Sequence, residues 1–518
     1  MSHISSDDTQ VGKLTGYDYL TRILQAPVYD TAVVTPLDSL KKLSARCNNH
    51  ILLKREDKQP VFSFKLRGAY NKIAQLSDQQ LAAGVVAASA GNHAQGVALS
   101  ASARNVKSVI VMPRTTPDIK VDSVKQLGGI VVLHGDNFDQ AYLHAKELSK
   151  TDGMTLIPPF DDCDVIAGQG TVAMELLQQQ RQMDAVFVPV GGGGLIAGMA
   201  VYLKMLRPEI KIIGVESEDS ACLTAALAAG EPVDLERVGL FADGVAVKRI
   251  GIEPFRLAQQ YVDDMVTVSS DEICAAVKDI FEDTRAIAEP SGALAIAGLK
   301  KYKKQHQLED QHLVAILSGA NVNFHGLRYV SERCELGEQK EGIMAVNIPE
   351  RKGSFRQFCQ LLGGRSITEF NYRYANKHSA NIFVGLRLAN GETELQSMIA
   401  QLKQHDYPAQ DLSHNEIAKL HVRYMVGGRP CESLTERLFS FEFPECPGAL
   451  STFLETLGEN WNITLFHYRN HGAAFGRVLA GFELSEQQLP QFLEHLGQLG
   501  YQYKDETDNL AYTAFLTH

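Results

Sequence analysis

From about residue 50 the apolar positions of the chain fall into short β-branched runs separated by longer stretches of helical spacing. The runs are "ILLKRE" from Ile51, "GVVAAS" from Gly84, "SVIVMP" from Ser108, "IVVLHG" from Ile130, "MTLIPPF" from Met154, "AVFVPV" from Ala185, "KIIGVES" from Lys211 and "LVAILSG" from Leu313. The stretch "DNFDQAYLHAKELSK" from Asp136 is typical of what lies between them. Short, continuously apolar runs suit strands that are covered on both faces. Strands alternating with helices predict βαβ units, a mainly parallel sheet and an α/β domain over residues 1–336. In such sheets ligands bind where strands end and the next helices begin.

Beyond residue 336 the texture changes and an internal repeat emerges. "IPERKGSFRQFCQLLGGRSITEFNYR" from Ile348 is matched by "FPECPGALSTFLETLGENWNITLFHYR" from Phe443. Pro349, Gly353, Phe358, Leu362 and Gly363 align with Pro444, Gly448, Phe453, Leu457 and Gly458 at one constant offset. After a single inserted residue, Ile367, Thr368, Phe370, Tyr372 and Arg373 align with Ile463, Thr464, Phe466, Tyr468 and Arg469. Each copy reads as strand, P-x-x-x-G turn, amphipathic helix and two further strands. That predicts a duplicated α+β module of ferredoxin-like type, at residues 340–428 and 434–518.

Composition narrows the picture by exclusion. The net charge is −11 and no block of like charge stands out, so a nucleic-acid surface is not expected. The eight cysteines are scattered without a C-x-x-C pair, which suits reduced thiols and neither a disulfide framework nor a structural metal site. "MSHISSDDTQVGKL" lacks the apolar segment of a secretory signal, and a cytoplasmic protein is expected. Ala185 to Leu203 carries no charge, but Pro189 and its glycines read as strand, turn and helix rather than a membrane span.

Four strand-to-helix loops hold candidate chemistry. "PVGGGGLIAG" from Pro189 aims backbone amides and a helix N-terminus at one point, an anion site suited to phosphate. No Lys-Ser or Lys-Thr follows, so a nucleoside triphosphate is excluded. Gly192, Gly194 and Ala197, with Glu216 ending the next strand, also satisfy the G-x-G-x-x-A pattern of a dinucleotide site. Lys65 in "VFSFKLRGAY" stands beside Phe62 and Phe64 at the start of a helix expected to reach Ser77. Desolvation there would free its amine for Schiff-base chemistry, whereas a surface lysine would only lay its stem along the core edge. Ser89, Ala90, Gly91 and Asn92 in "AASAGNHAQG" offer a second amide-rich site, sized for a carboxylate, or else an ordinary N-cap. Ser318 in "LSGAN" ends the last strand. An amine, a phosphate nest, a carboxylate nest and a hydroxyl together describe pyridoxal 5'-phosphate with an amino-acid substrate.

In this order and spacing S-F-K-x-R-G-A, S-A-G-N-H-A-Q-G, G-G-G-G-L and L-S-G-A-N resemble the serine/threonine dehydratases. These are pyridoxal-phosphate enzymes of the tryptophan synthase β-like fold (fold type II), and "IPPFDD" from Ile157 is similar as well. The C-terminal repeat resembles the tandem ACT-like regulatory domain of the biosynthetic threonine dehydratases. The resemblance implies that Lys65 carries the cofactor and removes the Cα proton, that Phe64 flanks the ring, and that Asn92 bonds the ring hydroxyl. It further implies that Gly191, Gly192, Gly193, Gly194 and Leu195 hold the phosphate and that Ser318 faces the ring nitrogen. Ser89, Ala90, Gly91 and Asn92 would hold the substrate carboxylate. A serine opposite the nitrogen cannot keep it charged, so proton removal and loss of the β-substituent are expected to be closely coupled. The implied reaction takes L-threonine to 2-oxobutanoate and ammonia as the first step of isoleucine biosynthesis, with L-serine as the second candidate substrate. Isoleucine as inhibitor, valine as its antagonist and a homotetramer are implied too, with no metal, membrane or nucleic-acid partner. A serine dehydratase, racemase or β-replacement enzyme would share the first part of the chain but not the duplicated tail.

Overall fold

The computed structural model describes residues 14–516 apart from 240, 323, 325, 352, 375–377, 426–434, 445–448, 458–460, 470–474, 510–511 and 513–515. It divides into two compact units, Met1–Gly337 and Glu338–His518.

The first unit holds two sheets. The larger has six strands in the order Leu37–Ser39, His50–Arg55, His312–Leu317, Ala185–Pro189, Lys211–Ser217 and Asp264–Val268, parallel except for the first. The smaller has four parallel strands, Ile130–Leu133, Ser108–Met112, Val85–Ala88 and Thr155–Leu156. The eight apolar runs all form strands, and in the central ones the cause of the unbroken hydrophobicity is visible. Leu313, Ala315 and Leu317 feed the core on one face of the large sheet, and Val314 and Ile316 feed the core on the other. Val85 and Ala87 are likewise divided from Val86 and Ala88 in the small sheet. A strand buried on both faces has no polar side to alternate with.

The uncharged stretch from Ala185 resolves into the strand Ala185–Pro189 and the helix Gly194–Leu206. Among the described residues no helix is long and apolar enough to cross a membrane. The lysine helix is shorter than its spacing suggests: Lys65–Ala74, not through Ser77. Ser77 instead opens a new helix, exchanging hydrogen bonds with Gln80 in a capping box.

In the second unit each copy of the repeat is a complete β-α-β-β-α-β module. The strands Glu341–Pro349, Ile367–Arg373, Ser379–Arg387 and Ala409–Asp411 are followed by Glu436–Pro444, Asn462–Arg469, Phe475–Glu483 and Gln502–Asp505. They form one eight-stranded antiparallel sheet, joined where Ile367–Arg373 pairs with Asn462–Arg469. The alternating "ITxFxYR" segments are these two joining strands, and Phe370 and Phe466 meet edge to face across them with ring centres 5.7 Å apart. One core cluster serves both copies and includes Phe358, Phe370, Phe439, Phe453, Phe466 and Phe482. Gly448 and Gly458 of the repeat lie outside the described residues.

Candidate active site

Lys65 is the first residue of its helix, and the loop before it is fastened to the loop after the last strand of the large sheet. Phe64 N donates to Ser318 O at 3.2 Å and Ala320 N to Phe62 O at 2.9 Å, around a Ser63–Gly319 bridge. This zipper places Lys65 and Ser318 side by side although they are far apart in sequence. The Lys65 amine donates to Pro159 O at 2.9 Å and lies 5.4 Å from the Phe64 ring centre. Burial lowers its pKa to about 8. Phe62 does not supply that burial, because it is 56% exposed.

The carbonyl that receives Lys65 belongs to the "IPPFDD" loop, which is pinned along its length. The Ile157 carbonyl accepts from His93 Nε2 at 2.9 Å. Asp161 caps the helix Ile252–Tyr261 through the amides of Ile252 and Glu253, both at 3.0 Å. Asp162 caps the helix Cys163–Gln179 through the amides of Asp164 and Val165. Burial and the nearby Lys65 charge hold the His93 pKa down at about 3, so it is neutral and not a base.

Between those anchors Phe160 is pressed beneath Gly192 and Gly194. A Cβ on Gly192 would collide with the Phe160 ring, and one on Gly191 would come within 2.9 Å of Val245 Cα. Gly193 has φ +89°, which favours glycine. The glycines are therefore demanded by neighbours within the protein, and not by a guest alone. The amides tell the other half. From Gly192 to Ile196 the residues are buried, yet none of their backbone N–H groups meets an acceptor among the described residues. Ala197 N is the first to close on the helix, bonding Gly193 O at 3.0 Å. Consecutive buried donors without acceptors are costly unless an anion satisfies them.

Gly91 contrasts with these glycines: its Cβ would meet nothing within 4 Å. Gly91 is the N-cap of the helix Asn92–Ala103 and no side chain caps it, so Ser89 and Asn92 are not capping residues. The Ser89 hydroxyl instead accepts from Gly91 N at 3.2 Å, leaving the amides of Ala90 and Asn92 without an acceptor among the described residues. The Asn92 side chain turns away from its helix. Its Nδ2 donates to Glu289 Oε1 at 2.7 Å, and its Oδ1 accepts from Asn321 Nδ2 at 2.6 Å. Sequence reasoning missed both partners. Glu289 is 4% exposed, and burial raises its pKa to about 7, with the Asn92 hydrogen bond opposing.

Ser318 is buried at the strand end, and among the described residues its hydroxyl reaches only the Ser291 carbonyl, at 3.4 Å. Ser291 Oγ is buried with no hydrogen-bond partner among the described residues. Glu216 goes elsewhere than the sequence pattern suggested. Its carboxylate accepts from Leu223 N at 2.7 Å and from Thr224 N and Oγ1 at 2.9 and 2.7 Å, capping the helix Cys222–Ala229. It is fully buried and spent, so the ribose contact of a dinucleotide reading fails. Among the described residues no cluster of three or more His, Cys, Asp or Glu side chains is placed to hold a metal ion.

These groups fit pyridoxal phosphate. The amides of Gly192 to Ile196 suit its phosphate, the desolvated Lys65 amine its aldehyde, the second Asn92 Nδ2 hydrogen its ring oxygen, and the buried hydroxyls of Ser318 and Ser291 its polar edge.

The chain is similar to known proteins along both units. Residues 28–319 match the model of pyridoxal-phosphate dependent enzymes, and residues 332–422 and 427–516 each match that of the C-terminal regulatory domain of threonine dehydratase. L-threonine dehydratase biosynthetic IlvA of Salmonella typhimurium is 63% identical over 97% of this chain and 97% of its own length. The mitochondrial threonine dehydratase of Saccharomyces cerevisiae is 51% identical over 97% of this chain and 89% of its own. Among solved structures, the processed form of threonine deaminase isoform 2 from Solanum lycopersicum aligns with TM-score 0.61 and 50% identity, covering 64% of this chain and 94% of that one.

Proposed function

The chain belongs to the pyridoxal-phosphate-dependent threonine dehydratases, and from that premise we propose how its residues divide the work of converting L-threonine into 2-oxobutanoate and ammonia. Pyridoxal phosphate supplies an electron sink for the pair released at Cα when the substrate is bound. The protein supplies the proton transfers and the alignment.

Lys65 is the base. Its amine is neutral over a useful range because burial has already lowered its proton affinity, and the Pro159 carbonyl holds the nitrogen in one place. The amides of Ala90 and Asn92 dock the substrate carboxylate, which leaves the Cα proton within reach of Lys65. The glycine-loop amides would hold the cofactor phosphate, and Ser318 would serve the ring nitrogen as a neutral partner. The buried amides from Gly192 to Ile196 are the observation that carries this reading. Preference for threonine over serine rests on the relatives' names. Steady-state formation of 2-oxobutanoate from threonine, set against pyruvate from serine, tests it.

The Gly91 site makes a separable prediction. A methyl at residue 91 meets no protein atom within 4 Å, so Gly91→Ala protein should fold normally. The methyl would stand where the substrate carboxylate approaches the loop. We expect KM for threonine to rise about tenfold or more, equivalent to one lost charge-assisted hydrogen bond. Unchanged KM would remove the carboxylate from this loop.

We further propose that the second unit binds isoleucine as inhibitor, with valine as antagonist, and that a cytoplasmic homotetramer is the working form. A half-open pocket of about 600 Å³, counting solvent at its mouth, supports the first of these. It lies between the Pro349–Gly353 turn of one repeat and Leu454, Leu457, Trp461 and Ile463 of the other. Glu350 accepts from the Tyr372 hydroxyl at 2.8 Å and would receive an ammonium, beside apolar side chains that suit a branched substituent. Ser354 Oγ and Trp461 Nε1 are buried there without hydrogen-bond partners among the described residues. Trp461 is the single tryptophan of the sequence, so its emission should respond saturably to isoleucine at the concentrations that inhibit turnover. Inhibition with unmoved emission would place the effector elsewhere.

A further inference from the structure

Glu289 stands where a helix is ordinarily capped, and it does not cap. It immediately precedes Pro290 at the start of the helix Pro290–His306, yet its side chain makes no capping hydrogen bond there. Both oxygens reach across to other groups instead. Oε1 accepts from Asn92 Nδ2 at 2.7 Å and Oε2 from Asn321 N at 2.9 Å. Asn321 completes a ring of contacts by donating from its own Nδ2 to Asn92 Oδ1 at 2.6 Å and to Val61 O at 2.8 Å. Space for the carboxylate comes from Gly319, where a Cβ would lie 2.6 Å from Glu289 Oε1.

A planar amide held in this way has no freedom left. An ionised carboxylate accepts only, so it must face Nδ2; an amide nitrogen donates only, so it must face Oδ1. Once Asn92 oxygen and one Asn92 hydrogen are committed, the direction of the second Nδ2 hydrogen is fixed by amide geometry. Asn92 starts the helix that follows the small sheet, whereas Glu289 and Asn321 flank the large one. The contact therefore also fastens one sheet's loop to the other's.

We propose that Glu289 is a positioning residue for the dehydratase reaction: with Asn321 it locks the Asn92 carboxamide so that its remaining hydrogen is held for the ring oxygen of pyridoxal phosphate. This rests on the assignment of Asn92 to that oxygen. Glu289 touches neither substrate nor cofactor in this role and acts through Asn92.

The test is a double-mutant cycle read by reconstitution of apoenzyme with pyridoxal phosphate, titrated by the visible absorbance of the bound cofactor. Glu289→Gln keeps shape and volume, but a carboxamide accepts at one atom where the carboxylate accepts at two. Either Asn321 N or Asn92 Nδ2 must then face a donor. Cofactor dissociation should rise roughly tenfold, the scale of one hydrogen bond to a charged group. In an Asn92→Ala background the same change should shift dissociation less than about twofold, because the residue it acts through is gone. An equal fold-change in both backgrounds would show a general structural role and overturn the proposal. An Asn92→Ala protein with unaltered cofactor affinity would remove Asn92 from the ring oxygen, and the role of Glu289 with it. A shift for Asn92→Ala but none for Glu289→Gln would overturn the positioning role alone.

Discussion

Lys65→Ala protein should lose threonine turnover by about 10²–10⁴-fold from the missing base alone, before any loss of cofactor attachment is counted. The fold should survive. The lysine amine makes one hydrogen bond, to a carbonyl that other contacts already hold in place, and removing a desolvated amine relieves a burial cost. Circular dichroism should thus match the parent while 2-oxobutanoate formation collapses. The pH dependence has a defined sign. A base with pKa about 8 gains its active, deprotonated form as pH rises through 8, so the proton-removing step should quicken up to that point and then level. A Lys65→Ala enzyme that kept a tenth of parental turnover would be incompatible with the mechanism.

Arg67→Ala should be the most destabilising single change in the motif. Arg67 is fully buried and binds Glu56 through Nε and Nη2, both at 2.8 Å, and Glu175 through Nη1 at 2.6 Å. Lys54, also fully buried, binds the other oxygen of Glu175 at 2.6 Å. The four charges cancel, and they tie the strand His50–Arg55, the lysine helix and the helix Cys163–Gln179 together. Removing one cation leaves two buried carboxylates sharing a single lysine, a cost of about 3–5 kcal/mol. Arg67→Lys should rescue little, since an ammonium cannot bridge both carboxylates in the planar geometry that a guanidinium provides. Urea unfolding followed by circular dichroism measures the loss, and Trp461 emission follows the second unit in the same samples. A shift below about 1 kcal/mol would mean that the cluster relaxes or admits water.

How much of this was readable in the chain divides along physical lines. The central strands of the large sheet announced themselves because both faces are buried, and Val314 and Leu313 have different cores to enter, whereas the short edge strand Leu37–Ser39, with no buried residue, gave no such signal. Asp264–Val268 was missed because it is an edge strand with only Val266 and Val268 buried. The last strand of the second repeat was missed for a related reason: Gln502–Asp505 is exposed throughout and carries no apolar signature. Residues whose chemistry is local could be found from motifs, as with Lys65 and the glycine loop. Residues whose role depends on partners distant in sequence could not. Glu289 reads as an ordinary residue before a helix-starting proline, and only the fold brings Asn92 to it. Phe160 sat inside a noticed motif, but nothing in "IPPFDD" says that its ring would press under the glycines. Those glycines were read as evidence of a guest, and their crowding turns out to be internal. The unsatisfied amides are the better sign of a phosphate.

The most direct measurement is to reduce the purified holoenzyme with borohydride, which fixes the carbon–nitrogen double bond between a lysine and the cofactor aldehyde, and to map the labelled peptide by mass. The account predicts loss of the visible band and one pyridoxyl-phosphate adduct, on Lys65. An adduct on any other lysine, or none, would contradict it.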